Sequence, residues 1–396
     1  MSPWRRTLYA TWAGQLFSMI GFSFVFPFMP RYLSHLGVPE GNLELWSGMV
    51  TAATGLTMVV FAPVWGHFAD RHGRKIMVLR SMFGGAIIIA LTGFARNEWD
   101  VLILRTVQGM LTGTITASLA LVSSVTPPER VGYSMGMMYA AVACGNSVGP
   151  LVGGVVVDHF GYRAAFMAGA ALVGLGGALV SFFATEEFTR PPKREEGHLL
   201  PFRRMLATAG FVAALLTLFQ ISFANSAPQP IFQLFVEKLY GFGKGLNTVT
   251  GLIIASTGVA AAVGAAVMGH YADGWGHKRV LMACMLLGGI LTLPVCLVES
   301  VGGLLVLRIA FGLLSAGVMP SANAIIRQVM DKEHLGKAYG MMASVTCLGW
   351  GLGPLVGGAM AKQWGLGAPF VLTGEVLLLT VLVVAWRIRE VDVRGR

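Results

Sequence analysis

Long apolar stretches recur along the whole chain and constrain its fold more than any other feature. A helix needs roughly 20 mostly apolar residues to cross a bilayer. Twelve such stretches are present, centred near residues 20, 57, 86, 111, 144, 173, 219, 260, 289, 315, 348 and 377. Only 12% of the 396 residues are charged, about half of the roughly 25% typical of soluble domains. The sequence therefore predicts an all-α membrane protein with twelve spanning helices, called spans 1 to 12 below.

The basic residues alternate along the chain in a pattern that predicts topology. If the N-terminus is cytoplasmic, 21 of the 29 Lys and Arg residues lie in cytoplasmic segments, six lie outside and two lie within spans. This bias follows the positive-inside rule. The net charge of +10 therefore indicates membrane topology and not nucleic-acid binding. An even number of spans places both termini in the cytoplasm, and we expect a multi-pass protein of a bacterial cytoplasmic (inner) membrane.

The two halves of the chain repeat each other in register. GHFADRHGRK at 66–75 corresponds to GHYADGWGHK at 269–278, and LILRTVQG at 102–109 corresponds to LVLRIAFG at 305–312, both at an offset of 203 residues. GNSVGPLVGG at 145–154 recurs as GWGLGPLVGG at 349–358, at an offset of 204. Such repetition predicts two six-helix halves of like orientation. We place them at residues 1–184 and 205–396, joined by a cytoplasmic linker at 185–204.

These motifs resemble the major facilitator superfamily and, within it, the twelve-helix drug:proton antiporters. The motif after span 2 is present with Phe68 where leucine is usual, and the motif of span 5 is the one that resembles antiporters more than other members. The matching residues are Gly21, Pro27 and Pro30 in span 1, Gly66, Ala69, Asp70, Arg71, Gly73, Arg74 and Lys75 after span 2, Arg105, Gln108, Gly109 and Gly113 in span 4, and Gly145, Gly149, Pro150, Gly153 and Gly154 in span 5. The resemblance covers essentially the whole chain and implies the major facilitator fold.

The motif after span 2 implies a conformational latch. We call the set Gly66, Asp70, Arg71, Gly73, Arg74 and Lys75 the cytoplasmic latch. The resemblance implies that Asp70 meets the N-terminus of span 11, where a carboxylate is favoured by the helix dipole. The second copy keeps Asp273 but has Gly274 and His277 in place of two arginines, so we expect a weaker latch there. The alternative is that this charged loop only helps to set the orientation of the chain in the membrane and has no latch function.

The glycines of span 5 predict a closely packed helix face. Gly145, Gly149 and Gly153 are spaced by four and share one face, and Pro150 adds a kink. We interpret this set, with Gly154, as a hinge and a seam between the two halves, since small residues let membrane helices approach. Ordinary helix packing is the alternative.

Two charged residues are candidates for proton coupling. The resemblance implies a coupling role for Arg105, which lies within the apolar part of span 4. A charge inside a membrane usually faces a cavity or a partner, although Arg105 could instead extend to the nearby outer surface. Glu375 lies well inside an apolar run, where a carboxylate in a low-dielectric cavity is readily protonated. Alternatively, the helix boundary lies one turn away and Glu375 is close to the outer surface.

Polar residues in spans 7 and 1 are candidates for substrate binding. Span 7 has Asn225, Gln229, Gln233 and Glu237 at steps of four, and a spanning helix with such a stripe is typical of a water-filled cavity. Span 1 offers Gln15, Phe22 and Phe26. Amides beside aromatic rings suit an amphipathic small molecule; interhelical hydrogen bonding is the alternative.

The motifs that are missing narrow the function further. The sequence has no HExxH, no metal-binding Cys-His spacing and no GxxxxGK loop, so we expect no metal, no cofactor and no enzyme or ATPase activity. We predict a monomeric secondary transporter that uses the proton gradient to export amphipathic molecules through the lipid bilayer. A lipid or glycolipid flippase of the same fold is the alternative, and a membrane enzyme or receptor has little support.

Overall fold

A computed structural model describes the backbone of residues 2–186, 188, 209–329 and 335–387. Side chains are described for the same residues except 70, 209, 210, 273, 323, 326–329 and 335–339. The described part is almost entirely helical. The linker predicted at 185–204 lies mostly outside the described residues, and the division of the chain at that segment stays a prediction.

Each spanning segment of the first half is one helix or two short helices in line. Apolar residues dominate these helices, and small residues occur where they cross. The helices are Pro3–Ser23 and Met29–His35 in span 1, Leu43–His72 in span 2, Arg74–Thr92 in span 3, Glu98–Leu111 and Thr114–Val125 in span 4, and Val131–Phe183 across spans 5 and 6.

The second half repeats this order of elements. Its helices are Ala209–Ser226 and Phe232–Tyr240 in span 7, Leu246–Trp275 in span 8, His277–Thr292 in span 9, Val301–Ser315 and Val318–Val329 in span 10, Leu335–Trp364 in span 11, and Ala368–Arg387 in span 12. Matched hydrogen bonds support the repeat: Ser23 Oγ donates to the Gly145 carbonyl at 3.1 Å, and Ser226 Oγ donates to the Gly349 carbonyl at 3.1 Å.

The helical segments agree in number with the twelve predicted spans. Ten helical stretches of the described chain are long and apolar enough to cross a membrane. One of them, Pro128–Phe183, turns at Gly161, where φ is 80° and the backbone is not helical. It therefore contains two spans. Span 4 is not among the ten because Gly113, with φ of 120°, interrupts it. Ten plus one plus one gives twelve segments.

Spans 1, 4, 7 and 10 are the interrupted ones. Pro27 lies in the short 3₁₀ turn that divides span 1, and Pro230 lies in the turn that divides span 7. Proline cannot donate the backbone hydrogen bond that a continuous helix requires, and in span 4 the positive φ of Gly113 has the same effect. In transporters, broken helices expose backbone groups beside the cavity where substrates bind.

The two halves meet through two pairs of long helices. Span 2 packs against span 11, and span 5 packs against span 8. We call the end of the bundle that carries Pro3, Gly73 and Gly276 the proximal face. The opposite end, which carries Gly161, Gly241 and Gly365, is the distal face. The state of this interface therefore decides which face of the bundle is open.

Candidate functional site

A buried arginine lies beside the breaks of spans 1 and 4. Arg105 is 6% exposed, its Nη1 donates to Gln108 Oε1 at 2.9 Å, and its guanidinium lies 5.2 Å from the ring centroid of Phe26. Its Nε has no hydrogen-bond partner among the described residues. Phe22, Phe26, Arg105 and Gln108 line one small cavity inside the first half. The structure thus places Arg105 with aromatic and amide groups, and no acidic side chain among the described residues pairs with it.

The second half places an arginine at the equivalent position among more aromatic rings. Arg308 lies 4.9 Å from the centroid of Phe232, 4.8 Å from that of Phe370 and 5.8 Å from that of Phe311. Each distance is within reach of a cation–π interaction. Phe311 occupies the place that Gln108 has in the first half, so Arg308 lacks the amide acceptor of its counterpart.

The predicted substrate residues separate into three groups. Phe22 and Phe26 line the cavity beside Arg105, and Asn225 and Gln229 are partly exposed on span 7. Gln15 is fully buried within the first half, where neither polar atom of its amide has a partner among the described residues. The third residue of the stripe in span 7, Gln233, is buried in a network at the distal face.

The distal half of the interface is closed by backbone contacts. A Cβ added at Gly48 would lie 2.6 Å from the carbonyl oxygen of Pro354, and one at Gly55 would lie 2.7 Å from the Cα of Gly351. Between spans 5 and 8, a Cβ at Gly154 would overlap the Asn247 carbonyl, and one at Gly251 would overlap the Pro150 carbonyl. Only glycine permits helices to approach this closely.

The proximal half of the same interface is open. Each of the four interface helices has a glycine there whose added Cβ would meet no atom of the described residues within 4 Å: Gly66, Gly136, Gly269 and Gly340. No residue of span 2 from 53 to 69 is buried, whereas the buried residues of that helix cluster between 43 and 52. The structure is therefore closed at the distal face and open at the proximal face.

A polar network crosses between the halves at the distal face. Asp158 on span 5 accepts hydrogen bonds from Thr248 N at 2.8 Å, from Thr248 Oγ1 at 2.6 Å and from Asn247 Nδ2 at 2.7 Å. Asn247 Oδ1 in turn accepts from Gln233 Nε2 at 2.6 Å. The sequence patterns do not single out Asp158 or Asn247, because neither residue belongs to the motifs that carry the family resemblance.

Arg31 adds a cation to this network. We call the whole set the distal network; it consists of Arg31, Asp158, Gln233, Glu237, Asn247 and Thr248. The guanidinium of Arg31, at the end of span 1, contacts both carboxylate oxygens of Glu237 on span 7. It also pairs with Glu40 at 2.7 Å, and its backbone N–H donates to Gln233 Oε1 at 3.2 Å. Fork-shaped contact between guanidinium and carboxylate is strong and fixes geometry, so it holds spans 1 and 7 in register across the interface.

The cytoplasmic latch is described only in part. Gly73 has φ of 98° and joins spans 2 and 3. Glu186 accepts the backbone N–H groups of Arg74 and Lys75 at 2.9 and 2.8 Å, and Lys75 Nζ donates to the carbonyls of Ser181 and Ala184. These described contacts stay within the first half. The side chains of Asp70 and Asp273, and those at the start of span 11, lie outside the described residues, so the role of the latch stays a prediction.

The glycine face of span 5 packs differently from the prediction. Added Cβ atoms at Gly145, Gly149 and Gly153 would overlap Met19, Ser23 and Phe24 of span 1, inside the first half. The contact between the halves uses the next face of the helix, with Pro150 and Gly154. Span 11 repeats the arrangement, because Gly349, Gly353 and Gly357 face span 7 while Gly358 faces Glu44 of span 2. The repeated motif thus serves two contacts at once.

Glu375 does not occupy a buried cavity. Its side chain is exposed on span 12, next to Thr373 and Gly374, which face spans 7 and 9. It has no hydrogen bond or ion pair within the described part of the chain. The expectation of a cavity around Glu375 was therefore wrong for this conformation, because the helix turns this position away from both neighbouring spans.

Comparison with known proteins agrees with the all-helical membrane fold. The family model described as Major Facilitator Superfamily matches residues 11–250 and 244–396. The chain belongs to this superfamily. Multidrug resistance protein MdtG of Salmonella arizonae is 32% identical over 381 residues, which cover 96% of this chain and 94% of that protein. The protein of the same name from Salmonella newport matches equally well.

Solved structures of other transporters share the fold. The human organic anion transporter MFSD10 matches with a TM-score of 0.73 and 19% identity, covering 97% of this chain and all of that one. The nucleoside transporter NupG matches with a TM-score of 0.77 and 12% identity, covering 96% of this chain and 100% of that one. Together with the family match, these similarities indicate a multi-pass membrane transporter and not an enzyme.

Proposed function

We propose that this protein is a proton-coupled secondary transporter that exports amphipathic small molecules by alternating access. The observation that carries the proposal is the asymmetry of the interface: the same four helices are closed at the distal face and open at the proximal face. A transporter of this class exposes a central site to one side at a time. The similarity to multidrug resistance proteins supports export of drug-like molecules.

The orientation follows from the distribution of basic residues. We assign the proximal face, which carries Arg71, Arg74 and Lys75, to the cytoplasm of a bacterium, because cytoplasmic loops are enriched in Lys and Arg. The conformation described is then open to the cytoplasm and ready to accept substrate from that side. Both termini would lie in the cytoplasm, and the protein would act as a monomer in the inner membrane.

The residues around the broken spans suit an amphipathic ligand. Phe22 and Phe26 offer apolar and aromatic surface, while Gln108, Asn225 and Gln229 offer uncharged hydrogen-bonding groups. Pockets that combine a mainly apolar lining with a few polar groups bind small molecules with defined orientation. Few of these polar groups are satisfied by fixed partners, so ligands of varied shape can use them.

Arg105 is the residue to which we assign proton coupling. Arg105 is a buried cation with a single amide partner. Charges interact more strongly in the protein interior than in water, so a proton gained or lost by a nearby group or water changes the electrostatic energy of Arg105 strongly. Arg105→Ala should retain substrate binding and lose the dependence of transport on a pH gradient. Glu375→Gln, at an exposed position, serves as the control and should keep coupling near normal.

The test uses inside-out membrane vesicles with an imposed pH gradient. Addition of an amphipathic cation should release protons, seen as recovery of the fluorescence of a pH-sensitive dye, in the wild type and in Glu375→Gln but not in Arg105→Ala. Vesicles that carry labelled lipid test the flippase alternative in parallel. Movement of lipid without proton exchange would overturn the exporter proposal, and normal coupling in Arg105→Ala would remove Arg105 from it.

A further inference from the structure

Four junctions in the chain share a short sequence pattern that ends in a glycine with positive φ. A glycine with positive φ ends a long helix and a polar residue stands three positions before it. The four copies are DRHG at 70–73, DHFG at 158–161, DGWG at 273–276 and KQWG at 362–365. The φ values of Gly73, Gly161, Gly276 and Gly365 are 98°, 80°, 95° and 89°.

The spacing of these junctions divides each half into two three-helix units. The glycines of the first half are 161 − 73 = 88 residues apart, and those of the second half are 365 − 276 = 89 apart. Each junction joins the second and third helices of its unit: spans 2 and 3, 5 and 6, 8 and 9, and 11 and 12. Successive units run in opposite directions, so the first and third junctions lie at the proximal face and the second and fourth at the distal face.

The second junction, DHFG at 158–161, contacts span 8 across the interface between the halves. Asp158 accepts the backbone N–H of Thr248, in the first turn of span 8, in addition to two side-chain donors. The first N–H groups of a helix have no partner within the helix, and the dipole favours a carboxylate at that end. This end of span 8 belongs to the other half, so the contact requires that the distal face is closed.

The fourth junction makes the corresponding contact with the charge reversed. Lys362 Nζ, on span 11, donates to Asn42 Oδ1 at 2.7 Å, and Asn42 is the residue that precedes the first turn of span 2. Span 2 has Glu44 in that turn, so a lysine and not an aspartate matches its charge. The contact is exposed, and exposed polar contacts of this kind contribute little.

We propose that Asp158 is a positioning residue that holds the distal face closed and thereby sets the balance between the two open states. The distal latch, Asp158 with Asn247 and Thr248, is the inverted copy of the arrangement that the family resemblance implies for Asp70 and span 11 at the proximal face. Lys362 with Asn42 is its weaker counterpart. The inference rests on the alternating access in the proposed function, but its test does not use transport as a readout.

The experiment measures distances between spin labels at both faces. Labels at Gly41→Cys and Gly243→Cys report the distal opening, and labels at Gly132→Cys and Gly340→Cys report the proximal one. All four glycines have open space around the position of a Cβ and no positive φ. The native cysteines 144, 284, 296 and 347 are first replaced by serine or alanine. The protein is the full chain in lipid nanodiscs.

Asp158→Ala should raise the ratio of distally open to distally closed molecules about tenfold, which is about 1.4 kcal/mol. Thr248→Val, which removes one hydroxyl donor from the other half, should shift it in the same direction by about threefold, or about 0.65 kcal/mol. Asp100→Ala is the matched control, because Asp100 also accepts a backbone N–H at the distal face but stays within the first half, at Arg96. Its distances should equal those of the parent.

The proposal is overturned if Asp158→Ala and Asp100→Ala give the same distances. If Asp158→Ala does not fold, Thr248→Val decides, and unchanged distal distances in that variant overturn the proposal. Transport is measured separately in vesicles. A distal shift in a protein that exchanges no protons for substrate would support the latch and refute the exporter, whereas normal exchange without a shift would do the reverse.

Discussion

The distal and proximal halves of the interface are built from the same four helices and are in opposite states. At the distal face, glycines bring backbone against backbone, and the distal network adds charged and amide hydrogen bonds. At the proximal face, glycines on the same helices have open space around them. The difference indicates that two contributions close the distal face. The first, which we call the layer of shape, is the close backbone packing at the glycines, and the second is the set of polar contacts in the distal network. Substitutions can separate the two.

The largest effect is expected from the layer of shape. Gly154→Leu should prevent distal closure, because a side chain at this position overlaps the carbonyl of Asn247 in span 8. Transport should fall by about 100-fold or more, as a well-packed contact between backbones has no room to relax. Gly132→Leu, on the same helix at the open face, is the control for insertion and expression.

Cysteine accessibility at the distal face checks this result. The reporter is a cysteine introduced as Gly243→Cys. It should react faster with membrane-impermeant reagents when Gly154→Leu is also present than in the parent, whereas Gly132→Leu should not change its rate of reaction. Full transport by well-expressed Gly154→Leu would show that the close approach of spans 5 and 8 is dispensable, and the comparison between the faces would then rest on polar contacts alone.

A smaller effect is expected from the charged part of the distal network. Arg31→Ala leaves Glu237 without its guanidinium partner and should increase distal opening by about tenfold, since hydrogen bonds to charged groups contribute about 1.5–3 kcal/mol. Arg96→Ala removes an exposed arginine of the same face and should have no effect. The spin-label pair at the distal face measures both. An equal shift in the two variants would indicate a general charge effect and not a specific pair.

The smallest effect is expected at the exposed contact of span 11. Lys362→Ala removes the hydrogen bond to Asn42 and should change the distal distances by less than about twofold, because exposed charges gain little from pairing. A shift as large as that of Arg31→Ala would contradict the ranking. It would mean that the two ends of the distal face contribute equally to closure.

The sequence predicted the parts of the fold that depend on length and repetition. Twelve apolar stretches and three matches at offsets of 203 or 204 residues were enough to predict spans, halves and the shared orientation. The residues inside each span gave less information about which other spans it packs against. Helical periodicity shows which residues share a face, but not which helix that face meets, because this depends on how the helices cross.

Residues 153 and 154 illustrate why the seam was placed on the wrong face. Consecutive residues point about 100° apart around a helix of 3.6 residues per turn. Gly153 therefore faces span 1 while Gly154 faces span 8. Both are glycines in one motif, and the sequence contains no signal that distinguishes them. Glu375 was misplaced for a similar reason, since an apolar run surrounds it whether its side chain points inward or outward.

A search of the sequence within each half would not have been enough to find the distal latch. DRHG at 70–73 and DHFG at 158–161 share only two identities, the aspartate and the glycine. A match of two residues is too weak to notice until the structure shows that both glycines have positive φ and join equivalent helices. Geometry therefore revealed a repeat that residue identity alone did not.

The contact between spans 1 and 5 has a mechanical consequence. Gly145, Gly149 and Gly153 seat span 5 directly on span 1, and Ser23 ties the two helices by a hydrogen bond. We therefore expect the two helices to move together as one body. Span 1 carries Phe22 and Phe26, and span 5 carries Asp158 near its distal end. A molecule that binds against the two rings therefore contacts the same packed pair of helices that carries Asp158, so the contact between spans 1 and 5 links the occupied site to closure of the distal face.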